Sequence, residues 1–280
     1  MTATEIRSII CPNCKKLISY DEPVCPYCGI SKPGSKRFKL FARKGNLSSE
    51  NIVAHIIYVN IAMYVISIVI SHSNSGFSGG PFALMTPSNR SLMLLGASGT
   101  IPIDTYGRWW TLLSANYLHS GILHIFFNMM ALRQLGGLIF REYGANRLII
   151  IYTGGGIIGF FISYLAGISF TIGASASVSS LIGSALYYGK SRGGIYGEAL
   201  FKEVSGWVIG LALFGLLVPG INNWAHGGGL VSGIIISYIV GYSERRRENI
   251  VHMAIALSSI IITLAILGWA IATALFYLSL

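Results

Sequence analysis

Read for polarity alone, the chain is a polar head followed by a long apolar body. Apolar runs fall near residues 52–71, 122–140, 148–170, 172–189, 204–219, 224–242 and 250–279. Each approaches the roughly 20 residues that a helix needs to cross a bilayer. The pattern predicts seven membrane spans, the fourth and fifth short, and so an all-α polytopic membrane protein. Residues 72–118 separate the first span from the second. A connection of that length is too long for a simple loop, so it is expected to carry structure of its own.

The fourth run differs from the rest. It holds five serines, at 175, 177, 179, 180 and 184, among small or apolar neighbours. Such a helix is a poor partner for lipid, whereas small residues let helix backbones approach closely and hydroxyls bond across to neighbours. It is expected in the middle of the bundle, walled off by the others. Gly154, Gly155, Gly156 and Gly159 in the third run, and Gly229 and Gly233 in the sixth, mark further close-packed faces.

Composition agrees with the membrane reading. The 280 residues are 53% hydrophobic and 11% charged, where a soluble domain carries about 25% charged residues. The net charge of +10 invites a nucleic-acid reading, but its distribution points elsewhere. Eighteen of the 20 Lys and Arg residues lie in the head or on alternate connections, and only Arg90 and Arg108 fall in the other set. By the positive-inside rule the N-terminus is cytoplasmic and the C-terminus external. The expected partner of the positive charge is anionic lipid, with no nucleic acid. The polar, cysteine-containing first 50 residues do not read as a cleavable signal peptide.

In the head, Cys11-Pro12-Asn13-Cys14 and Cys25-Pro26-Tyr27-Cys28-Gly29 form two C-P-x-C knuckles, ten residues apart. Two thiolate pairs at this spacing in a cytosolic segment suit tetrahedral zinc, whereas disulfides are disfavoured in a reducing compartment. Four Cys ligands leave no open coordination position, so the metal is structural and takes no part in catalysis. Residues 1–30 resemble a zinc ribbon, a type that serves mostly in binding or regulation, and the resemblance implies a cytosolic partner. Residues 31–50, with Lys32, Lys36, Arg37, Lys39, Arg43 and Lys44, read as a basic juxtamembrane linker.

Polar side chains within the spans are few. His124 and Asn128 share a face of the second span, Gly173-Ala174-Ser175 opens the fourth, and His226 lies at the start of the sixth. Polar groups at that depth are costly without partners and mark a site, although a structural hydrogen bond between helices is the plainer alternative for each one alone. With the N-terminus inside, these three spans run in the same direction, and all four residues lie within about two turns of the outer end. A hydroxyl, an imidazole and amide donors at one level suit nucleophilic acyl transfer. None of the ten carboxylates lies in the outer half of a span. A Ser-His-Asp triad thus requires Asp104 to fold in from its loop; otherwise a Ser-His dyad remains. The same scarcity of acids argues against a pump or cation transporter.

Over about residues 52–242 the chain resembles the rhomboid intramembrane serine proteases. His119-x4-His124-x3-Asn128 resembles the family's second-helix motif, Gly173-x-Ser175 its nucleophile motif, and Ala225-His226-x2-Gly229-x3-Gly233 its base motif. The resemblance implies a six-helix core over 51–243 and an additional C-terminal transmembrane helix over 244–280. It implies Ser175 as nucleophile, His226 as general base, and His124 and Asn128 lining the oxyanion hole. Its substrates are expected to be transmembrane helices of other proteins, cut near the external face of the bilayer. Three positions depart from the family pattern. Ala176 replaces a Gly common after the serine, Ser179 stands where an aromatic often stacks on the base, and Arg108-Trp109-Trp110 displaces the arginine of a Trp-Arg pair. Without the aromatic, the Ser179 hydroxyl is the candidate for orienting His226. The alternative reading is a non-catalytic relative that binds membrane helices; such relatives typically lack the serine, the histidine or both.

Overall fold

The computed structural model describes residues 8–11, 17–27, 30–34, 49–72 and 85–279. The chain forms two units, residues 1–51 and 52–280.

In the first unit, β1 (Ser8–Ile10) pairs antiparallel with β2 (Leu17–Ser19), Ile9 opposite Ile18. A second, smaller hairpin follows. Val24 bridges Ser31, the Cys25 amide donates to the Ile30 carbonyl at 2.9 Å, and the Lys32 amide donates to the Pro23 carbonyl at 2.8 Å. Cys11 directly follows β1, and Cys25 lies in the second hairpin. Cys11 and Cys25 are buried against Ile18, with Ile9 and Ile30 packed beside them. Cys14 and Cys28, and the basic residues between 36 and 44, lie outside the described residues.

The second unit is helical. Its long helices are α1 (Ser49–His72), α4 (Ile122–Tyr143), α5 (Ala145–Leu165), α6 (Ser175–Arg192), α7 (Gly194–Leu217), α8 (Asn223–Val240) and α9 (Ile250–Ser279). By length and composition α1, α4, α5, α7 and α9 can each cross a membrane. Helices α6 and α8, of 18 residues each, do not reach that apolar content. Their serines, glycines and histidine lower it, and the reason is their position. From Ala176 to Ala185 every residue of α6 is buried. It is the central helix, as its composition predicts, with α5, α7 and α8 packed around it.

Backbone proximity is what the small residues supply. A methyl group on Gly183 would lie 2.0 Å from the Leu230 carbonyl oxygen of α8, and one on Gly233 would lie 2.0 Å from the Ser180 carbonyl oxygen of α6. On α5, a methyl at Gly155 would lie 2.1 Å from Ser180 Cβ, and one at Gly159 would lie 2.8 Å from the Ala225 carbonyl oxygen. Any side chain at these positions would force the three helices apart. Two serines of α6 bond to backbone carbonyls: Ser180 donates to the Ile151 carbonyl of α5 at 2.9 Å and Ser184 to the Ser180 carbonyl at 2.8 Å.

Helix α7 starts ten residues before the apolar run at 204. Its first turns carry Glu198, Lys202 and Glu203, which lower hydropathy without disfavouring helix, and Glu198 and Lys202 stand at a helix-supporting i, i+4 spacing. Helix α9 packs along α5 and keeps most of its apolar surface exposed. It is tied down at its entry, where the Glu248 carboxylate accepts from the Arg147 amide and the Asn146 side chain, both at 2.9 Å, in the first turn of α5.

The connection after α1 has the expected internal structure. It contains α2 (Asn89–Leu94), a π-helical turn (Ile101–Thr105), α3 (Thr111–Ser114) and a 3-10 turn (Ala115–Tyr117). Ser88 caps α2 by accepting the Ser91 amide at 3.2 Å. Its Leu92, Leu95, Ala97, Leu113 and Leu118 are buried in the main core together with residues of the long helices. Ser98 bridges Thr171, which fastens this segment to the stretch leading into α6. Trp110 packs over Gly96, while Trp109 is half exposed and meets the Tyr164 ring edge-on at 5.2 Å.

Candidate active site

Three polar residues predicted from the sequence, Ser175, His226 and His124, arrive at one place because α4, α6 and α8 present their N-terminal ends there. Ser175 is the first residue of α6. The chain reaches it through Gly173, whose φ of +124° is open to glycine and strained for other residues. The Gly173 amide is fixed by donating to the Ala115 carbonyl at 2.9 Å. No side chain caps α6, so the amides of its first turn are left to whatever occupies the space in front of Ser175.

His226 stands in the first turn of α8 and is held there by Asn222. The Asn222 side-chain oxygen accepts the Ala225 amide at 3.0 Å, the N-cap interaction. Its nitrogen donates to Ser163 Oγ at 2.6 Å and Thr171 Oγ1 at 2.8 Å. One residue thus ties the start of α8 to the end of α5 and to the segment entering α6. The result is a hydrogen bond of 2.8 Å between His226 Nε2 and Ser175 Oγ. Sequence reading missed Asn222, although an Asn directly ahead of an apolar helix is an N-cap signal.

His124 approaches the same point from α4. A methyl group on Gly173 would lie 2.7 Å from His124 Nε2 and 3.7 Å from Ser175 Oγ. That nitrogen and that hydroxyl therefore face one small space, kept open by the missing side chain of Gly173. His124 Nδ1 is engaged by Ser120, and its ring meets the buried His119 ring edge-on at 5.0 Å. Asn128 lies one turn further along α4, its amide nitrogen donating to the His124 carbonyl at 2.9 Å. That bond uses one of the two N–H groups of the amide.

Other sequence expectations resolve differently. Asp104 is exposed and accepts a 2.9 Å hydrogen bond from the Tyr164 hydroxyl; it does not fold in toward His226. The Ser179 hydroxyl does not reach the imidazole either. Ser179 Oγ and His226 Nδ1 are both buried and have no hydrogen-bond partner among the described residues. The reason is depth: Ser179 is one turn below Ser175 and packs against Gly229, where a methyl would meet its Cβ at 3.2 Å. Ala176 turns its methyl toward Gly159 of α5, away from the space in front of Ser175. Ser177 points away from His226, as its spacing predicts, yet it is not idle. Its hydroxyl donates to Asn116 Oδ1 at 2.9 Å and ties α6 to the end of the long connection. Arg108 reaches the Met93 carbonyl at 3.3 Å and lies over the Tyr106 ring.

A hydroxyl bonded to one imidazole, with a second imidazole across a space one methyl wide and the uncapped first turn of α6 beside it, can activate a nucleophile and hold a developing oxyanion.

Comparison with known proteins gives the same direction. Residues 106–243 match the Rhomboid domain family. Rhomboid protease GluP of Bacillus subtilis is 29% identical over 184 residues, covering 66% of this chain and 34% of that protein. RHOMBOID-like protein 4 of Arabidopsis thaliana is 28% identical over 201 residues, covering 66% of this chain and 51% of that protein. RHOMBOID-like protein 1 of Arabidopsis thaliana is 29% identical over 223 residues, covering 70% and 56%. The chain spans between 34% and 56% of the length of these relatives. The domain match and the five apolar helices together make it an integral membrane protein.

Proposed function

We propose that this chain, whose residues 106–243 match the Rhomboid domain family, is an intramembrane serine protease working through a Ser175–His226 dyad. The observation that carries the reading is the 2.8 Å contact between His226 Nε2 and Ser175 Oγ beside the space kept open by Gly173. Ser175 Oγ attacks the scissile carbonyl while His226 Nε2 takes its proton. The carbonyl oxygen becomes an oxyanion in front of His124 and the uncapped first turn of α6, whose partial positive charge favours it. Asn128 supplies a further amide donor from the next turn. The intermediate collapses when His226 returns the proton to the leaving amine, and water, activated by the same imidazole, releases the acyl group. No carboxylate reaches His226 among the described residues, so the machinery is a dyad without a third member.

The substrate class is a transmembrane helix of another membrane protein, locally unwound to present its carbonyl. The positive-inside distribution supports a cytoplasmic N-terminus, an external C-terminus and cleavage near the external face. For the head, we propose a structural zinc held by Cys11, Cys14, Cys25 and Cys28. The burial of Cys11 and Cys25 in one small core beneath paired hairpins fits that ligand set, and a cytosolic partner of this unit would supply regulation.

The test is reconstitution in proteoliposomes with a fluorescent transmembrane helix carrying Gly and Ala near its external end. Wild type is expected to release the labelled fragment. Ser175→Ala and His226→Ala each abolish release, and the double variant loses no more than either alone. A folded wild type that leaves a panel of such helices intact, or a Ser175→Ala variant that cuts, refutes the assignment.

A further inference from the structure

His124 can help an oxyanion only if the nitrogen facing Ser175 carries a proton, and something must decide which nitrogen does. We propose that Ser120 is a positioning residue that fixes the tautomer of His124, with the proton on Nε2; the inference deepens the protease reading and rests on it.

The geometry is one-sided. The Ser120 backbone amide lies 3.4 Å from His124 Nδ1 and the Ser120 hydroxyl lies 3.0 Å from the same nitrogen. A backbone N–H has only a hydrogen to offer, so it favours a lone pair on Nδ1, but at 3.4 Å it is a weak donor. The nearer hydroxyl, at 3.0 Å, donates to the same lone pair and supplies most of the preference. In the neutral ring the proton then resides on Nε2, the atom that faces Gly173 and the space before Ser175. The other tautomer would set an Nδ1–H against the Ser120 N–H and point a lone pair at the oxyanion. An imidazolium would suffer the first of these clashes too. The ring cannot swing away, because His119 stacks on it edge-on and is itself completely buried. Ser120 is exposed and belongs to no helix, which makes it a clean position for substitution. In the sequence it is one serine in a turn, with no periodicity to mark it.

The experiment combines imidazole 15N NMR with kinetics, on the full chain in detergent and in proteoliposomes. The His124 signals are assigned by their absence in His124→Ala. Wild type is expected to show His124 as the Nε2–H tautomer. Ser120→Ala keeps the backbone donor and loses the hydroxyl, so its spectrum moves toward a mixture. Its kcat falls about five- to twentyfold with KM within about twofold, short of the 10²–10³ that loss of a whole oxyanion donor costs. Ser120→Thr restores both readings. A wild-type Nδ1–H tautomer, an unchanged spectrum and kcat in Ser120→Ala, or a defect confined to KM each overturns the proposal. Wild-type protein that shows the Nε2–H tautomer and its loss in Ser120→Ala but cuts nothing separates the two claims. It upholds control of the tautomer by Ser120 and sinks the protease reading.

Discussion

Gly173→Ala is the most direct test of the space before Ser175, because one methyl makes two separable demands. The first is on the backbone. Gly173 sits at φ +124°, where a residue with a side chain costs on the order of 1–3 kcal/mol. The second is on the site. The added carbon would lie 2.7 Å from His124 Nε2, 2.8 Å from its Cε1 and 3.7 Å from Ser175 Oγ. It fills the position that an oxyanion would take and pushes the imidazole off it. Losing one such donor removes about 2.7–4 kcal/mol of transition-state stabilisation, a factor of 10²–10³ in kcat. Gly167→Ala controls for the first demand alone: its φ is +78° and nothing lies within 4 Å of the new carbon. Thermal unfolding in detergent should show both variants destabilised to a similar degree. Cleavage in proteoliposomes, and labelling of Ser175 by a fluorophosphonate, should collapse only in Gly173→Ala. A folded Gly173→Ala variant that cuts at more than a tenth of the wild-type rate would refute the placement of the oxyanion. Equal activity losses in the two variants would show that strain, not occupancy, is responsible.

Three further outcomes are expected. Gly183→Ala and Gly233→Ala, each pressed 2.0 Å from a facing carbonyl oxygen, should cost about 1–3 kcal/mol by overpacking, whereas Gly206→Ala and Gly210→Ala, with nothing within 4 Å, should be neutral or slightly stabilising; unfolding midpoints that rank the four otherwise would contradict the packing. Asn222→Ala removes the cap of α8 and both side-chain bonds to Ser163 and Thr171, so stability should fall by about 0.5–2 kcal/mol from the cap alone and kcat should drop with it, and normal kcat would show that His226 is held by other means. Metal analysis should find one zinc per chain, lost from a Cys11→Ser, Cys14→Ser double variant that still cuts a model helix; a zinc-free wild type would remove the ribbon reading.

Much of the site was legible because its chemistry conflicts with its surroundings. A serine-rich stretch in a membrane chain has few stable places, and the centre of the bundle is one, which is where α6 lies. Ser175 and His226 stood out for the same reason, being polar at a depth where polarity is costly. What escaped the sequence lies in segments where polar residues are ordinary. Asn222 and Ser120 sit just ahead of helices: the first carries only the general N-cap signal, which does not foretell its bonds to Ser163 and Thr171, and nothing in the spacing of the second tells a tautomer-setting contact from a solvated turn. Ser179 misled in the opposite direction. Its helical spacing from Ser175 is correct, but a serine side chain is too short to climb one turn to the imidazole. The charged first turns of α7 hid the start of that helix, since hydropathy reports apolar content and not helical order. The position of Asp104 was open from sequence, and only its bond to Tyr164 shows where the loop directs it.

The glycine pattern and the Ser175–His226 contact are two aspects of one constraint. Ser175 and His226 belong to different helices, so their separation is set by how closely α6 and α8 lie. That distance is fixed by glycines, not by the dyad itself. A methyl on Gly229 would meet the Ala176 carbonyl oxygen at 2.2 Å, and one on Gly233 the Ser180 carbonyl oxygen at 2.0 Å. These are the first and second turns below the reactive pair. An ordinary carbon–oxygen contact needs about 3.3 Å or more, so a side chain at either position would displace α8 by about an ångström. The hydroxyl–imidazole contact is 2.8 Å, and an extra ångström carries it beyond hydrogen-bond range. Misplacement on that scale can cost 10²-fold in rate without touching a reacting atom. On the dyad reading, small residues that look like packing are therefore part of the chemistry: they hold the base within reach of its proton.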